Sequence, residues 1–142
     1  MSIWFKPIDV EKLNQLMCRR NMLEHLDIRF TAIGDDYIVA EMPVDWRTHQ
    51  PAGILHGGAS VVLAETVGSV AANLCSDMNK YAWVGQEINA NHLRGKSEGT
   101  LIGTARPLHL GKRSQVWEMR MVDENDKLIC VSRLTMARIE KK

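Results

Sequence analysis

The sequence predicts an α+β domain in which a curved, mostly antiparallel β-sheet wraps around one long central helix. Three observations lead there. Extended, β-rich runs outnumber long helices, and consecutive runs are joined by connections too short for helical crossovers, which favours antiparallel pairing. One segment, between His56 and Asp77, carries a single charged residue, Glu65, among Gly, Ala, Ser, Val and Leu. Its apolar and small residues run all the way round a helical projection, the mark of a helix surrounded by protein. Finally, no repeat, low-complexity stretch or linker divides the 142 residues, so residues 1–142 read as one domain.

The elements follow in order. Asp9–Arg19 places Val10, Leu13, Leu16 and Met17 at helical spacing behind Asp9, an N-cap residue type, and Asn21–Leu26 adds a further helical turn. Ile28–Ile33 and Tyr37–Met42 are β-rich and are separated by Gly34-Asp35-Asp36, which predicts a hairpin. Pro51 and Gly53 punctuate Asp45–Leu55, a loop. The central helix starts at His56-Gly57-Gly58. Its small residues, among them Ala64, Gly68, Ala71 and Ala72, keep it thin enough for close approach by a sheet or a second helix. Four extended runs follow: Trp83–Asn91, Thr100–Leu110, Ser114–Val122 and Leu128–Ile139, with a turn at Glu124–Lys127. The last run alternates, with Ile129, Val131, Arg133 and Thr135 on one face and Cys130, Ser132, Leu134 and Met136 on the other.

Composition narrows the function classes. Eighteen Lys and Arg against seventeen Asp and Glu give a net charge of +1, without the basic excess that nucleic acid or an anionic membrane calls for. The three cysteines, Cys18, Cys75 and Cys130, are far apart and form no C-x-x-C pair, which argues against a disulfide framework or zinc site. With the start M-S-I-W-F-K-P-I-D, which lacks a basic-then-apolar signal, this predicts reduced thiols and a cytoplasmic protein. A membrane span over Gly57–Ser76 is opposed by Glu65, Asn73, three glycines and the lack of a basic flank.

Glu65 is therefore the residue to explain, because a buried carboxylate is costly unless it is paired or put to use. Ser69 lies one turn further on, and Val61, Gly68 and Ala72 share its side of the helix. At the helix start, the free backbone N–H groups of His56-Gly57-Gly58 and the positive dipole end suit an oxyanion or a polarised carbonyl. Gly57 and Glu65 are eight residues apart, roughly 12 Å along a helix, too far for one carboxylate to serve its own donor. An antiparallel neighbouring helix from a second copy brings the two together, which predicts a site between subunits and a dimer at least.

The runs H-Q-P-A-G-I-L-H-G-G-A-S-V-V-L-A-E-T-V-G-S, G-Q-E-I-N-A-N-H-L-R and P-L-H-L-G-K-R resemble the hotdog-fold acyl-CoA thioesterases. More narrowly, they are similar to the branch containing 1,4-dihydroxy-2-naphthoyl-CoA and 4-hydroxybenzoyl-CoA thioesterases. The resemblance extends from about Trp4 to Ile139. It implies the hotdog fold, hydrolysis of an aryl-CoA thioester, a place in menaquinone biosynthesis, and a homodimer or homotetramer. Acyl-CoA is the implied substrate, with an acylated carrier protein as a second form, and no cofactor or metal is expected. Glu65 would be nucleophile or general base and the Gly57 N–H would polarise the thioester oxygen. Gln50, His56 and Ser69 would orient the carbonyl, the water and the carboxylate. Gly85, His92 and Arg94, with the turn formed by His109, Leu110, Gly111, Lys112, Arg113 and Ser114, would hold the CoA moiety. One departure stands out: relatives usually continue H-x-R-P, whereas this chain reads H-L-R-G, with Gly95.

The chemistry fits these residue types. Preorganised donors stabilise a developing oxyanion, and desolvation strengthens a carboxylate as a base. A thiol leaving group, with a pKa near ~8.5 by analogy with cysteine, departs without a strong acid. The other notable residues read as structural: His25 and His49 as surface or satisfied core histidines, Cys75 as a packing residue, and at most one of Trp46, Trp83 and Trp117 as the lining of an aryl pocket. Two rivals remain. A hydratase or dehydratase of the same fold needs a P-G-x-L-x-x-E pattern, which is absent. A non-catalytic acyl-CoA sensor normally carries a DNA-binding segment, for which there is no candidate.

Overall fold

Local signals at the N-terminus act as read. In the computed structural model, which describes residues 1–142, Asp9 is extended and its carboxylate accepts from Lys12 N at 2.8 Å, starting α1 (Val10–Met17). Asn21 does the same for α2 (Met22–His25), accepting from the N–H groups of Leu23 and Glu24. The hairpin forms from β1 (Arg29–Ile33) and β2 (Ile38–Val44). β2 runs through Pro43, beyond the predicted end at Met42. Its pairing with β1 has stopped at Arg29↔Glu41, so β2 is flanked on one side only there, where a strand tolerates proline.

After α3 (Gly57–Leu74) come β3 (Tyr81–His92), β4 (Gly99–Leu110), β5 (Ser114–Val122) and β6 (Leu128–Glu140). β3 starts two residues before the predicted Trp83. The six strands form one sheet in the order β1-β2-β4-β5-β6-β3, and every pairing is antiparallel. The predicted alternation of β6 holds from Cys130 onward: Cys130, Ser132, Leu134 and Met136 are buried while Val131, Arg133 and Thr135 are not, and Leu134 packs on α3. Ile129, placed on the other face, is buried as well. Trp117 is fully buried and stacks on Trp4, with ring centroids 6.5 Å apart.

The small residues of α3 let it lie directly on the concave face of this sheet. A Cβ added to Gly68 would stand 2.8 Å from Leu134 Cδ2 and 3.1 Å from Met119 Sδ; one added to Gly103 of β4 would meet Leu63 at 3.2 Å. The expectation of a helix enclosed on all sides needs correction, however. Leu63, Ala64, Val67, Gly68, Ala71 and Ala72 are buried, whereas Gly58 and Glu65 are exposed and Val61, Val62, Thr66, Ser69 and Val70 are half-buried. The sheet of one chain covers one side of α3. The low charge of the other side belongs to a face that the chain leaves open.

The side of α3 next to β3 is held by an amide clamp. Asn73 Nδ2 donates to the carbonyl of Trp83 at 3.0 Å, and Trp83 N donates to Asn73 Oδ1 at 2.9 Å. Overpacking the helix–sheet contact should be costly, since adding methyl groups to a filled core site costs about 1–3 kcal/mol. Gly68→Val should therefore lower the thermal midpoint by several degrees, roughly 2–4 °C per kcal/mol for a domain of this size. Thermal unfolding followed by circular dichroism checks this.

Candidate active site

Glu65 projects from the open face of α3 towards β3. Its Oε1 lies 2.5 Å from where a Cβ on Gly85 would stand, so the carboxylate occupies space that only glycine leaves free. The β3–β6 ladder breaks its register between Gly85 and Glu87, placing a bulge at Gln86 beside the carboxylate. Ser69 Oγ is 3.8 Å from Met136 Sδ, and Met136 pairs with Gly85. Glu65, Ser69 and Gly85 are thus brought together. Glu65 and Ser69 border a cavity of ≈ 360 Å³ lined by Val62, Glu65, Thr66, Ser69 and Val70 of α3, with Met22 and Leu23 of α2 as the opposite side.

The helix start forms a separate place. His56 is the N-cap of α3, and its Nδ1 accepts from Gly58 N at 2.7 Å. A backbone N–H can only donate, so Nδ1 bears no proton and Nε2 carries the ring hydrogen. The Gly57 N–H makes no hydrogen bond within the chain, being one of the free donors of a first helical turn. A Cβ at Gly57 would lie 2.8 Å from His92 Nε2, so the His92 ring rests against this backbone. Gly57, Ser60, His92, Leu93, Arg94 and Gly95 contribute to a cavity of ≈ 380 Å³. Gln50 sits in the preceding loop, where its Oε1 accepts from Ala52 N at 2.6 Å.

The Gly95 loop is fixed without the proline of the motif. Leu93 N and Arg94 N donate to the Ile129 carbonyl, and Leu55 N donates to the Lys96 carbonyl at 2.7 Å. Glu124 accepts from Lys96 Nζ at 2.7 Å and from the Thr100 N–H, contacts that push its carboxyl down to about 2.

The remaining predicted residues lie elsewhere. The His109–Ser114 turn closes through Gly111 N donating to the Ser114 carbonyl at 2.9 Å, and Arg138 N donates to the Arg113 carbonyl. Leu110, Gly111 and Lys112 border a third cavity of ≈ 440 Å³ with Cys75, at the C-terminal end of α3. Eighteen residues of helix, roughly 27 Å, separate the two ends. Within one chain, His92 and Arg94 therefore do not meet the His109–Ser114 turn, and Glu65 does not share a cavity with Gly57.

Some residues escaped the sequence reading. Lys80 and Arg138 bring two more cations to the third cavity, and the Arg138 guanidinium lies 4.3 Å over the Tyr81 ring. Only their places at strand ends could have pointed to them. Met22 and Leu23 gave no signal, because a four-residue helix has no readable periodicity. The structural readings of other residues hold. His49 Nε2 is 2.7 Å from the Ser97 carbonyl, Trp83 is buried, and burial pushes the Cys75 thiol up to about 12. None of the tryptophans borders the Glu65 cavity. No group of three or more His, Cys, Asp or Glu is arranged to hold a metal ion, and no helix is long and apolar enough to cross a membrane.

The Gly85 geometry carries a test. In Gly85→Ala the new methyl meets only the far end of the Glu65 side chain, so the fold should persist while the carboxylate is displaced. Turnover should fall by about 10²-fold, the scale set by a 1 Å misplacement of a reacting group. Equal thermal midpoints and unequal kcat values are the expected pair of measurements.

Comparison with known proteins places this geometry. Residues 52–130 match the thioesterase superfamily model. The chain is 56% identical over 135 residues to the 1,4-dihydroxy-2-naphthoyl-CoA hydrolase of Escherichia coli, covering 95% of this chain and 98% of that one. It is 48% identical over 135 residues to the proofreading thioesterase EntH of Cronobacter sakazakii, covering 95% and 97%. The fold superimposes on the crystal structure of a mutant thioesterase from Pseudomonas aeruginosa with a TM-score of 0.96 at 47% identity, over 99% of this chain and 100% of that one. An antiparallel sheet curved over one long helix, with these relatives across nearly its whole length, makes the chain a hotdog-fold member of the thioesterase superfamily and a thioester hydrolase.

Proposed function

We propose that the protein is a cytoplasmic hydrolase of aryl-CoA thioesters, of the 1,4-dihydroxy-2-naphthoyl-CoA or benzoyl-CoA type, with a place in menaquinone biosynthesis. An acylated carrier protein is a second form of substrate. The substrate class is carried by likeness to the E. coli hydrolase over almost the entire chain. Glu65 attacks the thioester carbon or activates water against it, and a Gly57 N–H stabilises the oxyanion. The thiol of CoA leaves without a strong acid. His56, with its proton on Nε2, acts as a donor to the carbonyl; lacking an acceptor there, it is unsuited to be the base of a hydratase. Ser69 and Gln50 position carboxylate and water, and no metal or cofactor takes part, so turnover should be indifferent to chelators.

The observation that carries the mechanism is the separation of Glu65 from the unpaired Gly57 N–H. The working site is completed by a second copy, in a homodimer that pairs further into a homotetramer. β3 is an edge strand of twelve residues, paired only with β6, and the open face of α3 runs beside it. Antiparallel association along this edge sets Glu65 against Gly57 of the partner subunit and supplies the desolvation that the chain alone does not. It also brings one chain's Arg94 end towards the other's Lys112, Arg113, Lys80 and Arg138. There the cations outnumber the one acid lining the cavity, Asp77, which pairs with Lys80 at 3.6 Å, a balance suited to the phosphates of CoA.

Two experiments test this. Glu65→Gln should lower turnover of benzoyl-CoA by ~10²–10⁴-fold, the range of a catalytic base, with little change in the affinity of an uncleavable CoA analogue. Loss of less than tenfold removes Glu65 from the chemistry. Gly57→Pro, which deletes the donor N–H, should also be nearly inactive. Mixed with Glu65→Gln after dissociation and reassociation, it should recover about half of wild-type activity per heterodimer, because one site then combines both intact residues. Subunit exchange without recovered activity places donor and carboxylate in the same chain.

A further inference from the structure

We infer that Met22, on α2, is a specificity-determining residue: it forms the adjustable wall of the acyl pocket and sets the size of aromatic ring that reaches Glu65. This rests on the reading of Glu65 as the catalytic carboxylate. It begins from the asymmetry of the ≈ 360 Å³ cavity. One side is the stripe Val62, Glu65, Thr66, Ser69 and Val70, all on one rigid helix that is packed against the sheet. Within one chain the opposite side is α2 alone, through Met22 and Leu23. The cavity volume lies at the lower end of the roughly 300–1,000 Å³ of small-molecule pockets, enough for a ring system but not for a whole CoA thioester.

The backbone of that wall is fixed. Arg20 and Asp27, on either side of α2, adopt left-handed conformations with φ of 55° and 56°. The chain bends at Arg20 and turns at Asp27, and both places are held by bonds. Arg20 N donates to the Glu24 carboxylate, Asn21 Nδ2 donates to the Met17 carbonyl at 2.6 Å, and Ile28 N donates to the Leu23 carbonyl at 2.8 Å. Arg47 Nη1 adds a bond to the His25 carbonyl at 3.3 Å.

The two side chains on this fixed turn differ in freedom. Leu23 packs on the hydrophobic core, whereas Met22 is 57% exposed and is not tied into it. Methionine is flexible, fits rings of different outline and makes favourable sulfur contacts at an aromatic edge. The polar groups of the cavity are few. Thr66 Oγ1 already donates to the Val62 carbonyl at 2.7 Å and can act only as an acceptor, which leaves Ser69 as the one hydroxyl donor beside the Glu65 carboxylate. A wall of this kind selects by shape and favours a flat apolar ring.

The test compares kcat/KM for 2-naphthoyl-CoA and benzoyl-CoA in wild type, Met22→Trp, Met22→Ala and Glu65→Gln. Met22 is largely exposed, so the variants should fold, and equal thermal midpoints verify it. Met22→Trp should reduce the naphthoyl-to-benzoyl ratio about tenfold or more, and Met22→Ala should raise it, the scale by which small changes in an apolar pocket discriminate. Inhibition by free CoA should be the same in all of them, since Arg94 and Lys112, proposed to hold CoA, line other cavities. If Glu65→Gln abolishes turnover while both Met22 variants keep the wild-type ratio, the wall is overturned and the catalytic reading stands. If Glu65→Gln retains turnover, the catalytic reading falls, and this inference falls with it.

Discussion

The contact on which the rest of the structure depends is the close approach of α3 to the concave face of the sheet. Gly68 has no room for a methyl between Leu134 and Met119, and Leu63 takes the space a side chain at Gly103 would fill. Seating the helix this deeply buries one side of it completely. It also fixes which side is left. Glu65 falls at the border between the two, close enough to the sheet to need Gly85 and far enough out to remain exposed. A bulkier helix would ride higher, and the carboxylate would lose its place beside the β3 bulge.

β3 turns this packing into a site. It runs antiparallel to α3 and touches it along its length: Trp83 is clamped by Asn73, Gly85 accommodates Glu65, and His92 rests on Gly57. An edge strand is normally a liability because its unpaired groups invite another chain. Here the edge also carries the open face of α3 beside it. Hydrogen-bonding groups and uncovered apolar surface therefore lie side by side along one border of the molecule. The proposed dimer resolves both at once and needs no other surface.

Legibility in the sequence tracked how local each cause was. The N-caps Asp9 and Asn21, the Gly34–Asp36 hairpin and the alternation of β6 from Cys130 onward are set by neighbours a few residues away, and they formed as read. The family and fold were equally readable, because the His-Gly-Gly and Glu65 elements lie close together in one run. The surroundings of α3 were not. Small and apolar residues on a helix report that water is excluded, but not whether the excluding surface is the chain's own sheet or another subunit. The residues expected to hold CoA read as one set for the same reason: sequence order does not say that Arg94 and Lys112 lie at opposite ends of a helix roughly 27 Å long.

That separation bears on how such a site works with so few catalytic groups. In the proposed mechanism a helix N-terminus supplies a fixed donor and a carboxylate two turns along the same helix supplies the base, and their spacing within one chain leaves the pairing to a second copy. The His56 cap adds a second constraint: by spending Nδ1 on Gly58 N, it holds the first turn and commits its other nitrogen to donation. Preorganisation of this kind costs no rearrangement when charge develops on the thioester oxygen. The same elements that cap and seat the helix thus set the polarity of the site, so the substitutions that loosen the fold around α3 are also those that misplace its chemistry.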